Sequence, residues 1–562
     1  MPTSQRAANG QPYDITIVGA GMAGLYSAWR LLSPAAQQSP LIQQLIAENG
    51  TGQLQICRLE QSDRVGGRLD SYTFKEPGGV EVTVELGGMR YQTTMKLVAQ
   101  LIQTLGLPST NFPISNNRLF YLRGTQIWEN EIKNPAAPVT LPYQLPDKLL
   151  HLTPDDLFNW VVINVTGDPK SPDWSSDQWK QYATSNAYTS PASNPVQVFK
   201  NMGFFDIGFW NLLYDQVGDE GYRYLTEAGG YDSNTINWNS ALAMPYVASG
   251  DYSSSATYQR LVDGYQALPK ALAQAIGGSQ VIQLRTILLK LTKDSNGLLN
   301  LTVGKGPNRG VIQSKYVMLC MPRRALELLD PDTPLYHSVL GSKLKSVLLQ
   351  PSFKLLLLFD TEWWKQVNIR GTQLMPYGPS ITDLPLRMLW YFDDPQIRRS
   401  DGRQVASKYW ALLASYSDMV TEQFWIELRN TLVPGGGVSG PAIPAPPAMV
   451  NMALYQLGQV HGMTIPQPVA AGSMYKDWGA DPFYGAGYHA WATHVQPYIA
   501  YELMFKPMDD YNVFVAGEAY SLDQGWVEGA LRTAETVLTR YFQLPVFEGV
   551  HPEYVKKGKG HG

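Results

Sequence analysis

The stretch ITIVGAGMAGLYSAWRLL at residues 15–32 constrains the fold of this chain more than any other feature. An apolar run with strand character leads into a glycine-rich turn, and a helical pattern follows directly. The turn fits G-x-G-x-x-G, in which glycines let the backbone bend tightly and approach a pyrophosphate at the helix N-terminus. We therefore predict a Rossmann-like unit that binds a dinucleotide through Gly19, Gly21, Ala23 and Gly24.

An acidic residue closes the second strand pattern, LQICRLE at residues 54–60. We expect this residue, Glu60, to hold a pair of ribose hydroxyls. Its spacing from Gly24 exceeds the usual spacing of about 20 residues. The polar segment at 33–53 accounts for the excess, because it has the character of an insertion.

The composition excludes several other classes of protein. Of the 562 residues, 44% are hydrophobic and 16% are charged, which indicates a globular protein of two or three structural units. The net charge of -4 gives no indication of a nucleic-acid partner. Two cysteines and seven scattered histidines form no pattern for a disulfide framework or a metal site.

The sequence also bears on where the protein resides. No apolar run reaches the length needed to span a membrane, and the first residues, MPTSQRAANGQPYD, contain no apolar segment of an ordinary secretory signal. We therefore expect a soluble protein without a membrane span, either cytoplasmic or exported without a recognisable signal peptide.

Two further blocks carry a resemblance to a known family. Residues 60–68 read E-x-x-x-R-x-G-G-R, and near the other end VAGE at 515–518 is followed by QGWVEGA at 524–530. Both blocks resemble FAD-binding segments of the flavin-dependent amine oxidases, and the chain looks most like the L-amino acid oxidases, with a relation to bacterial amino acid monooxygenases. The resemblance implies FAD, bound noncovalently because members with covalent FAD use a cysteine that 517–526 lacks. The cofactor contacts that it adds are Gly67, Arg68, Gly87, Gly88, Met89, Arg90, Leu288, Gly517, Glu518, Gly525, Trp526 and Val527.

Motifs for the nucleotide at both ends of the chain, together with the resemblance, predict an α/β fold that is α+β overall. A discontinuous Rossmann-like FAD-binding domain would comprise residues 1–95, 256–350 and 466–562. A helical substrate lobe would span 96–255, and a substrate-binding domain with a mixed sheet would span 351–465.

Lys354 lies in the apolar strand pattern FKLLLLFD, where a partly buried lysine needs a reason. By the resemblance it is the family lysine that holds a water near flavin N5; the alternative is a surface lysine at a strand end. Trp478, in the W-x-x-D-P block at 478–482, and Trp526 would form walls around the substrate, next to Gly525. We expect Lys354 and Trp526 to take part in catalysis.

Arg90 ends the segment GGMR at 87–90. This segment resembles the G-x-M-R element of L-amino acid oxidases, whose arginine binds the substrate carboxylate, and a guanidinium suits that role because it pairs bidentately. By the same resemblance Tyr391 donates its hydroxyl to this carboxylate, with Trp390 as the alternative one residue earlier. The structural alternative for Arg90 is an ion pair with Glu85.

The sequence leaves the side chain of the substrate open. Asp232, in the stretch GGYDS, faintly resembles a segment of lysine monooxygenases and would bind a cationic side chain. A turn-capping aspartate is an equal alternative. The aromatic residues at 204–214 would suit a bulky apolar substrate just as well.

The resemblance implies oxidative deamination of an L-amino acid by hydride transfer from Cα to flavin N5. Molecular oxygen is the second substrate, and the products are an α-keto acid, ammonia and hydrogen peroxide. Three alternatives remain open: an amide-forming, decarboxylating monooxygenase, a polyamine or monoamine oxidase in which Arg90 is structural, and a flavin-binding protein without turnover. A homo-oligomer is compatible with the sequence.

Overall fold

The computed structural model describes residues 4–5, 10–75, 81–194, 196–249, 257–334, 343–392, 408–429, 443–470, 472–480 and 484–556. Within these residues the chain forms a seven-stranded sheet, an eight-stranded sheet, several small sheets and a helical region. The mixed α/β fold predicted from the sequence is confirmed.

The seven-stranded sheet is built from three separate parts of the chain. Tyr13–Val18 lies parallel to both Ile56–Leu59 and Asn308–Leu319. Five of its six residues are buried, which explains the continuous apolar run, because a parallel strand is covered on both faces. Val513–Val515 from the far end of the chain pairs in parallel with Asn308–Leu319. The sheet also contains Ser4–Gln5 and the antiparallel strands Ile287–Lys293 and Leu299–Lys305.

Helices from both ends of the chain cover this sheet. Met22–Leu32 begins directly after the glycine-rich turn and packs against Val527–Arg540 and Ala267–Ala275. Arg30 and Glu535 form a buried ion pair between the first two of these helices. The other helices near this sheet in the chain are Pro40–Asn49 within the predicted insertion, Lys96–Thr104, Arg323–Glu327, Pro497–Phe505 and Pro552–Lys556.

The eight-stranded sheet contributes residues to the wall of a cavity that it shares with the seven-stranded sheet. Its strand Ser352–Phe359 is buried at all eight positions, which accounts for its apolar sequence. It pairs antiparallel with Trp410–Asp418 on one side and with Ser473–Asp477 on the other. The full order is Ile443–Pro444, Ser473–Asp477, Ser352–Phe359, Trp410–Asp418, Met388–Tyr391, Gly378–Thr382, Leu119–Leu122 and Thr125–Trp128.

The strands of this sheet cross two of the predicted domain boundaries. Leu119–Leu122 and Thr125–Trp128 belong to the sheet, although the sequence assigns 96–255 to a helical lobe. Ser473–Asp477 also belongs to it, although 466–562 is assigned to the FAD-binding domain. The reason is that strands distant in sequence pair by hydrogen bonds in one sheet. Domain boundaries drawn along the sequence do not show such pairing.

The helical region lies within 150–250 and has an aromatic core. Its helices are Pro154–Thr166, Ser176–Ser185, Phe209–Ala228 and Ser240–Ser249, preceded in the chain by the short helix Glu129–Ile132. Helices Met419–Glu427 and Pro447–His461 accompany the eight-stranded sheet. The small sheets consist of Ser71–Lys75 with Glu81–Glu85, Tyr91–Gln92 with Tyr258–Leu261 and Ser109–Asn111, Val347–Gln350 with Tyr488–Trp491, Ala187–Tyr188 with Met202–Gly203, and Asn368–Ile369 with Thr372–Gln373.

Among the helices that the structure describes, none combines the length and the apolar character that a membrane crossing requires.

Candidate active site

A cavity of about 430 Å³ is lined by residues of both large sheets and of the loops that connect them. It brings together most of the residues that the sequence singles out. These are Gly19, Gly21, Ala23, Glu60, Gly67, Arg68, Gly87, Gly88, Met89, Arg90, Leu288, Lys354, Trp478, Gly517, Glu518, Gly525, Trp526 and Val527. Gly24, Asp232 and Tyr391 do not line it.

The glycine-rich turn forms one end of the cavity. Gly19 has a φ of +106°, and a Cβ there would lie 2.4 Å from the carbonyl oxygen of Cys320. A Cβ on Gly24 would lie 1.8 Å from the carbonyl oxygen of Gly19, so Gly24 acts by closing the turn rather than by lining the cavity. The turn therefore exposes backbone to the cavity at the N-terminus of the helix Met22–Leu32, as an anion site requires.

Glu60 reaches the cavity from the end of the neighbouring strand Ile56–Leu59. Its carboxylate accepts the backbone N–H of Ala20 at 2.7 Å, and the backbone N–H and hydroxyl of Ser62 at 2.8 Å each. These bonds hold the acidic group beside the glycine-rich turn, which is where a ribose would follow the pyrophosphate.

Glu518 lines the cavity as part of a buried charge cluster. It pairs with Arg68 at 2.7 Å and with Nδ1 of His489 at 2.9 Å, and it accepts the N–H of Gly525 at 2.8 Å. Burial opposes its ionisation, but Arg68 and His489 outweigh burial and lower its pKa to about 2. A fixed negative charge therefore stands where the helix Val527–Arg540 begins.

Lys354 is buried and lines the other half of the cavity. Its Nζ donates to the carbonyl oxygen of Gly87 at 2.6 Å and lies 4.7 Å from the centre of the Tyr416 ring. Burial lowers the pKa of Lys354 to about 7, with Glu85 opposing the shift and Arg90 adding to it. The amine can therefore gain and lose a proton near neutral pH, in contact with the cavity.

Arg90 is 5% exposed and lies among aromatic rings. Its guanidinium carbon is 4.3 Å from the ring centre of Tyr258, 4.6 Å from that of Trp390 and 5.4 Å from that of Phe112. Rings next to the guanidinium restrict its orientation, and its planar N–H groups suit paired hydrogen bonds to a carboxylate. The carboxylate of Glu85 accepts from the Ser71 hydroxyl at 2.7 Å and from the Tyr265 N–H at 2.6 Å.

The two predicted tryptophan walls both reach the cavity. Trp478 is fixed by its indole N–H, which donates to the carbonyl oxygen of Leu86 at 2.8 Å. Trp526 stacks on Tyr258 with ring centres 6.4 Å apart, directly before the helix Val527–Arg540. Residues 481 and 482 of the predicted W-x-x-D-P block lie outside the described residues.

The structure places Tyr391 away from the cavity. Its hydroxyl donates to Ser380 at 3.0 Å and contacts Nε2 of His461 at 2.5 Å, on the face of the sheet that packs against the helix Pro447–His461. Neighbouring residues of a strand point to opposite faces, so Trp390 faces Arg90 while Tyr391 faces away. An error of one residue in the alignment of a strand moves a side chain to the wrong face.

Asp232 does not line the cavity either. Its carboxylate pairs with Arg387 at 2.9 Å and accepts from the Thr421 hydroxyl at 3.0 Å, so it is engaged outside the cavity. The residue before it, Tyr231, does line the cavity. Asp232 begins a short 3₁₀ helix that ends at Thr235, which is close to the turn-capping alternative.

Sequence reasoning missed six tyrosines that line the cavity: Tyr231, Tyr246, Tyr265, Tyr416, Tyr484 and Tyr488. Tyr416 is the cross-strand partner of Lys354, so the two share a face of the sheet. Only this pairing could have pointed to Tyr416 as a cavity residue. It depends on the register between the two strands, which their separate sequence patterns do not provide.

The residues present fit FAD. A side chain on Gly67 would lie 3.2 Å from Cα of Gly21, so two glycine segments converge into a cradle that only backbone can line. Glu60 lies beside this cradle, and Leu288 also lines the cavity. The helix beginning at Val527 points its N-terminus at the cavity, which suits a ring that accepts negative charge.

Comparisons with known proteins agree with this geometry. Achacin of Lissachatina fulica is 25% identical over 94% of this chain and 93% of its own length, and Aplysianin-A of Aplysia kurodai is 25% identical over 94% and 90%. An L-amino-acid oxidase of Mus musculus is 23% identical over 93% of this chain and 70% of its own length. The solved structure of wild-type putrescine oxidase bound to putrescine shares the fold, with 15% identity, a TM-score of 0.59 and coverage of 94% of this chain and 98% of that one. The model of the flavin containing amine oxidoreductases matches residues 22–537, so the chain belongs to that family of FAD-dependent oxidoreductases.

Proposed function

We propose that this protein oxidatively deaminates an L-amino acid to the α-keto acid, ammonia and hydrogen peroxide, with molecular oxygen as the oxidant. The observation that carries the proposal is Arg90. A guanidinium that is 5% exposed lies in the wall of the cavity, between aromatic rings and close enough to Lys354 to affect its pKa. A buried cation beside the reacting centre is what a carboxylate-bearing substrate needs, and plain amines have no use for it.

Relatives that cover most of this chain support the same substrate class. Two of those named L-amino-acid oxidases come from Mus musculus and Bungarus fasciatus, and the second is 21% identical over 93% of this chain. The putrescine oxidases share the fold at 15% to 16% identity, which bears on architecture alone. The buried arginine therefore favours amino acids over amines.

The bound FAD supplies a hydride acceptor and a route for electrons to oxygen. Arg90 would hold the carboxylate by two parallel hydrogen bonds, and the walls formed by Trp478 and Trp526 would limit rotation of the substrate about that anchor. Positioning of this kind supplies a large part of the rate, because it replaces a random encounter by a fixed geometry. Lys354, with a pKa of about 7, would hold a water and exchange a proton during the return of electrons to oxygen.

The cofactor would be held without a covalent bond. Between Gly517 and Ala530 the chain has no cysteine. Cys320 does line the cavity, but burial raises the pKa of its thiol to about 12, so that it is a poor nucleophile at neutral pH. Denaturation by acid or urea should therefore release all of the flavin into a protein-free filtrate.

The experiment that tests the function is anaerobic mixing of the yellow protein with the twenty L-amino acids, their D-enantiomers, putrescine and benzylamine. Bleaching of the flavin by one or a few L-amino acids supports the proposal, and bleaching by amines alone refutes it. Product analysis in air then separates deamination, which yields a keto acid and peroxide, from monooxygenation, which yields an amide and carbon dioxide.

A further inference from the structure

A buried chain of hydroxyl and carboxyl groups leads away from the cavity at Tyr488. The Tyr488 hydroxyl is hydrogen-bonded to the hydroxyl of Ser233, and that hydroxyl is hydrogen-bonded to Oδ2 of Asp418. Oδ2 also lies 3.5 Å from the Tyr488 hydroxyl itself. Tyr488 lines the cavity, whereas Ser233 and Asp418 lie behind it. A proton at the cavity wall thus has a continuous hydrogen-bonded path to a carboxyl group.

Asp418 is fully buried at the end of the strand Trp410–Asp418. Its carboxylate accepts the backbone N–H groups of Asp232 at 2.8 Å and of Ser233 at 3.2 Å, so it is held in one orientation. Along the strand it lies two positions from Tyr416 and pairs with Ser352, and both of these residues line the cavity. The carboxyl group therefore faces the reacting side of the sheet.

The charged groups around Asp418 come from four elements. Asp232 lies on the 3₁₀ helix, Arg387 pairs with Asp232 from the turn before the strand Met388–Tyr391, and Glu422 faces it from the helix Met419–Glu427. Tyr488 faces it from the strand Tyr488–Trp491. Burial and then Asp232 raise the pKa of Asp418 to about 7, while Ser233 and Arg387 oppose the shift.

Glu422 does not supply a second base near neutral pH. Burial and then its hydrogen bond with Asp477 raise the pKa of Glu422 to about 9, so it carries a proton over the range in which Asp418 titrates. Asp232 is already paired with Arg387. Asp418 is therefore the carboxylate of this cluster that can change its protonation state during a reaction at neutral pH.

We propose that Asp418 takes the proton of the substrate ammonium group through the hydroxyls of Tyr488 and Ser233. An α-amino group is mostly protonated at pH 7, and a hydride leaves the α-carbon only when nitrogen has a free electron pair to form the C=N bond. Some group must therefore accept the ammonium proton first. The inference rests on the proposed oxidation of a carbon–nitrogen bond, but it needs no carboxylate on the substrate.

The ammonium proton leaves the substrate before the hydride does. One N–H bond of the ammonium breaks as its proton moves to the Tyr488 oxygen, the Tyr488 proton moves to Ser233, and the Ser233 proton moves to Asp418, which becomes neutral. The Cα–H bond then breaks and its electron pair and hydrogen go to the cofactor, leaving a protonated imine. Oxygen takes up these two electrons with one hydrogen from the substrate carbon, and the proton stored on Asp418 completes hydrogen peroxide.

Substitution of the relay tests this role by the pH dependence of reduction. The probe is whichever L-amino acid, putrescine or benzylamine bleaches the wild-type flavin fastest without oxygen, at limiting concentration. We expect Asp418→Asn to slow reduction about 100-fold at pH 7, the size of effect typical of general base catalysis. The difference in rate between the wild type and this variant should shrink about tenfold per pH unit toward alkaline pH. The reason is that more of the substrate then binds as the free amine and needs no base. Tyr488→Phe should reproduce the pattern.

Tyr391→Phe is the matched control, because it removes a buried tyrosine hydroxyl on the face away from the cavity. It should leave the pH profile unchanged. A readout independent of turnover is the infrared difference spectrum on adding α-methylalanine, which has no hydrogen on its α-carbon. The wild type should gain a protonated-carboxyl band, and Asp418→Asn should not.

Several results would overturn the relay. A uniform loss at every pH in Asp418→Asn would mean a structural role, and a loss confined to substrates with cationic side chains would mean side-chain recognition. A normal profile in Tyr488→Phe would remove the path. If only amines reduce the flavin, the amino acid function fails while the relay is still tested with putrescine. If no compound in the panel reduces the flavin of the wild-type protein, both the proposed function and the relay are overturned.

Discussion

Replacement of Arg90 by alanine should remove the preference for a carboxylate-bearing substrate. Arg90 is 5% exposed, and rings of Tyr258 and Trp390 lie within 5 Å of its guanidinium carbon, so a carboxylate bound there would be largely removed from water. Each hydrogen bond between charged groups contributes about 1.5–3 kcal/mol. Truncating one partner of a buried charge pair costs about 2–5 kcal/mol in total.

That range converts to a fall in kcat/KM of about 30- to 4,000-fold for the preferred L-amino acid. Arg90→Lys keeps the charge but loses the planar fork and its stacking on the rings, so it should lose about one hydrogen bond, or about 10- to 150-fold. The assay is steady-state peroxide production together with anaerobic reduction. Flavin content and thermal unfolding must match the wild type for the comparison to hold.

The matched substrate is the amine that results from removing the carboxylate of the preferred amino acid. Its kcat/KM should be poor with the wild type and should not fall further in Arg90→Ala. Loss of the positive charge also raises the pKa of Lys354, so the comparison belongs at several pH values. An equal fall for the amino acid and its amine would refute the carboxylate clamp and return Arg90 to a structural role.

Four further variants probe other parts of the site. Lys354→Met should slow reoxidation of the reduced protein by oxygen about 100-fold while anaerobic reduction stays within a few-fold, as stopped-flow absorbance can show. Tyr391→Phe should cost about 1–3 kcal/mol of unfolding free energy in urea through its lost bonds and leave kcat and KM unchanged. Glu518 has a folded-state pKa of about 2, below its unfolded value of about 4.3, so its stabilisation is present above pH 4.3 and is lost as pH falls toward 2. Glu518→Gln should therefore flatten the acid limb of melting temperature against pH; an unchanged limb would contradict this. Gly24→Ala would place Cβ 1.8 Å from the Gly19 carbonyl oxygen and should yield protein without flavin by absorbance, whereas a fully yellow variant would contradict that geometry.

The cofactor half of the site could be predicted from sequence because its determinants are local. A strand, a glycine-rich turn and a helix are contiguous in the chain, and Gly24 is required by the carbonyl oxygen of Gly19 in the same turn. Glu60 was predictable because it ends the next strand. No long-range register was needed for any of these residues.

The substrate half depends on the register between strands, which the sequence does not provide. Tyr391 and Trp390 differ by one position in a strand, and only the pairing of Met388–Tyr391 with Trp410–Asp418 decides which one faces Arg90. Asp418 and Tyr488 come from strands that lie far apart in sequence, and Ser233 of the 3₁₀ helix is hydrogen-bonded to both. A polar residue at the end of an apolar strand pattern gave no sign of this contact.

The pairing of Val513–Val515 with Asn308–Leu319 has a consequence for folding during synthesis on the ribosome. At about 5–20 residues per second, roughly 30 to 110 s pass before residue 540 is synthesised. Until then the strand edge at Val317–Leu319 lacks its last neighbour and Arg30 lacks Glu535, so the nascent chain presents an open, apolar edge. Synthesis of this enzyme should therefore depend on chaperones that shield that edge, and stop codons before residue 513 should yield insoluble, colourless protein.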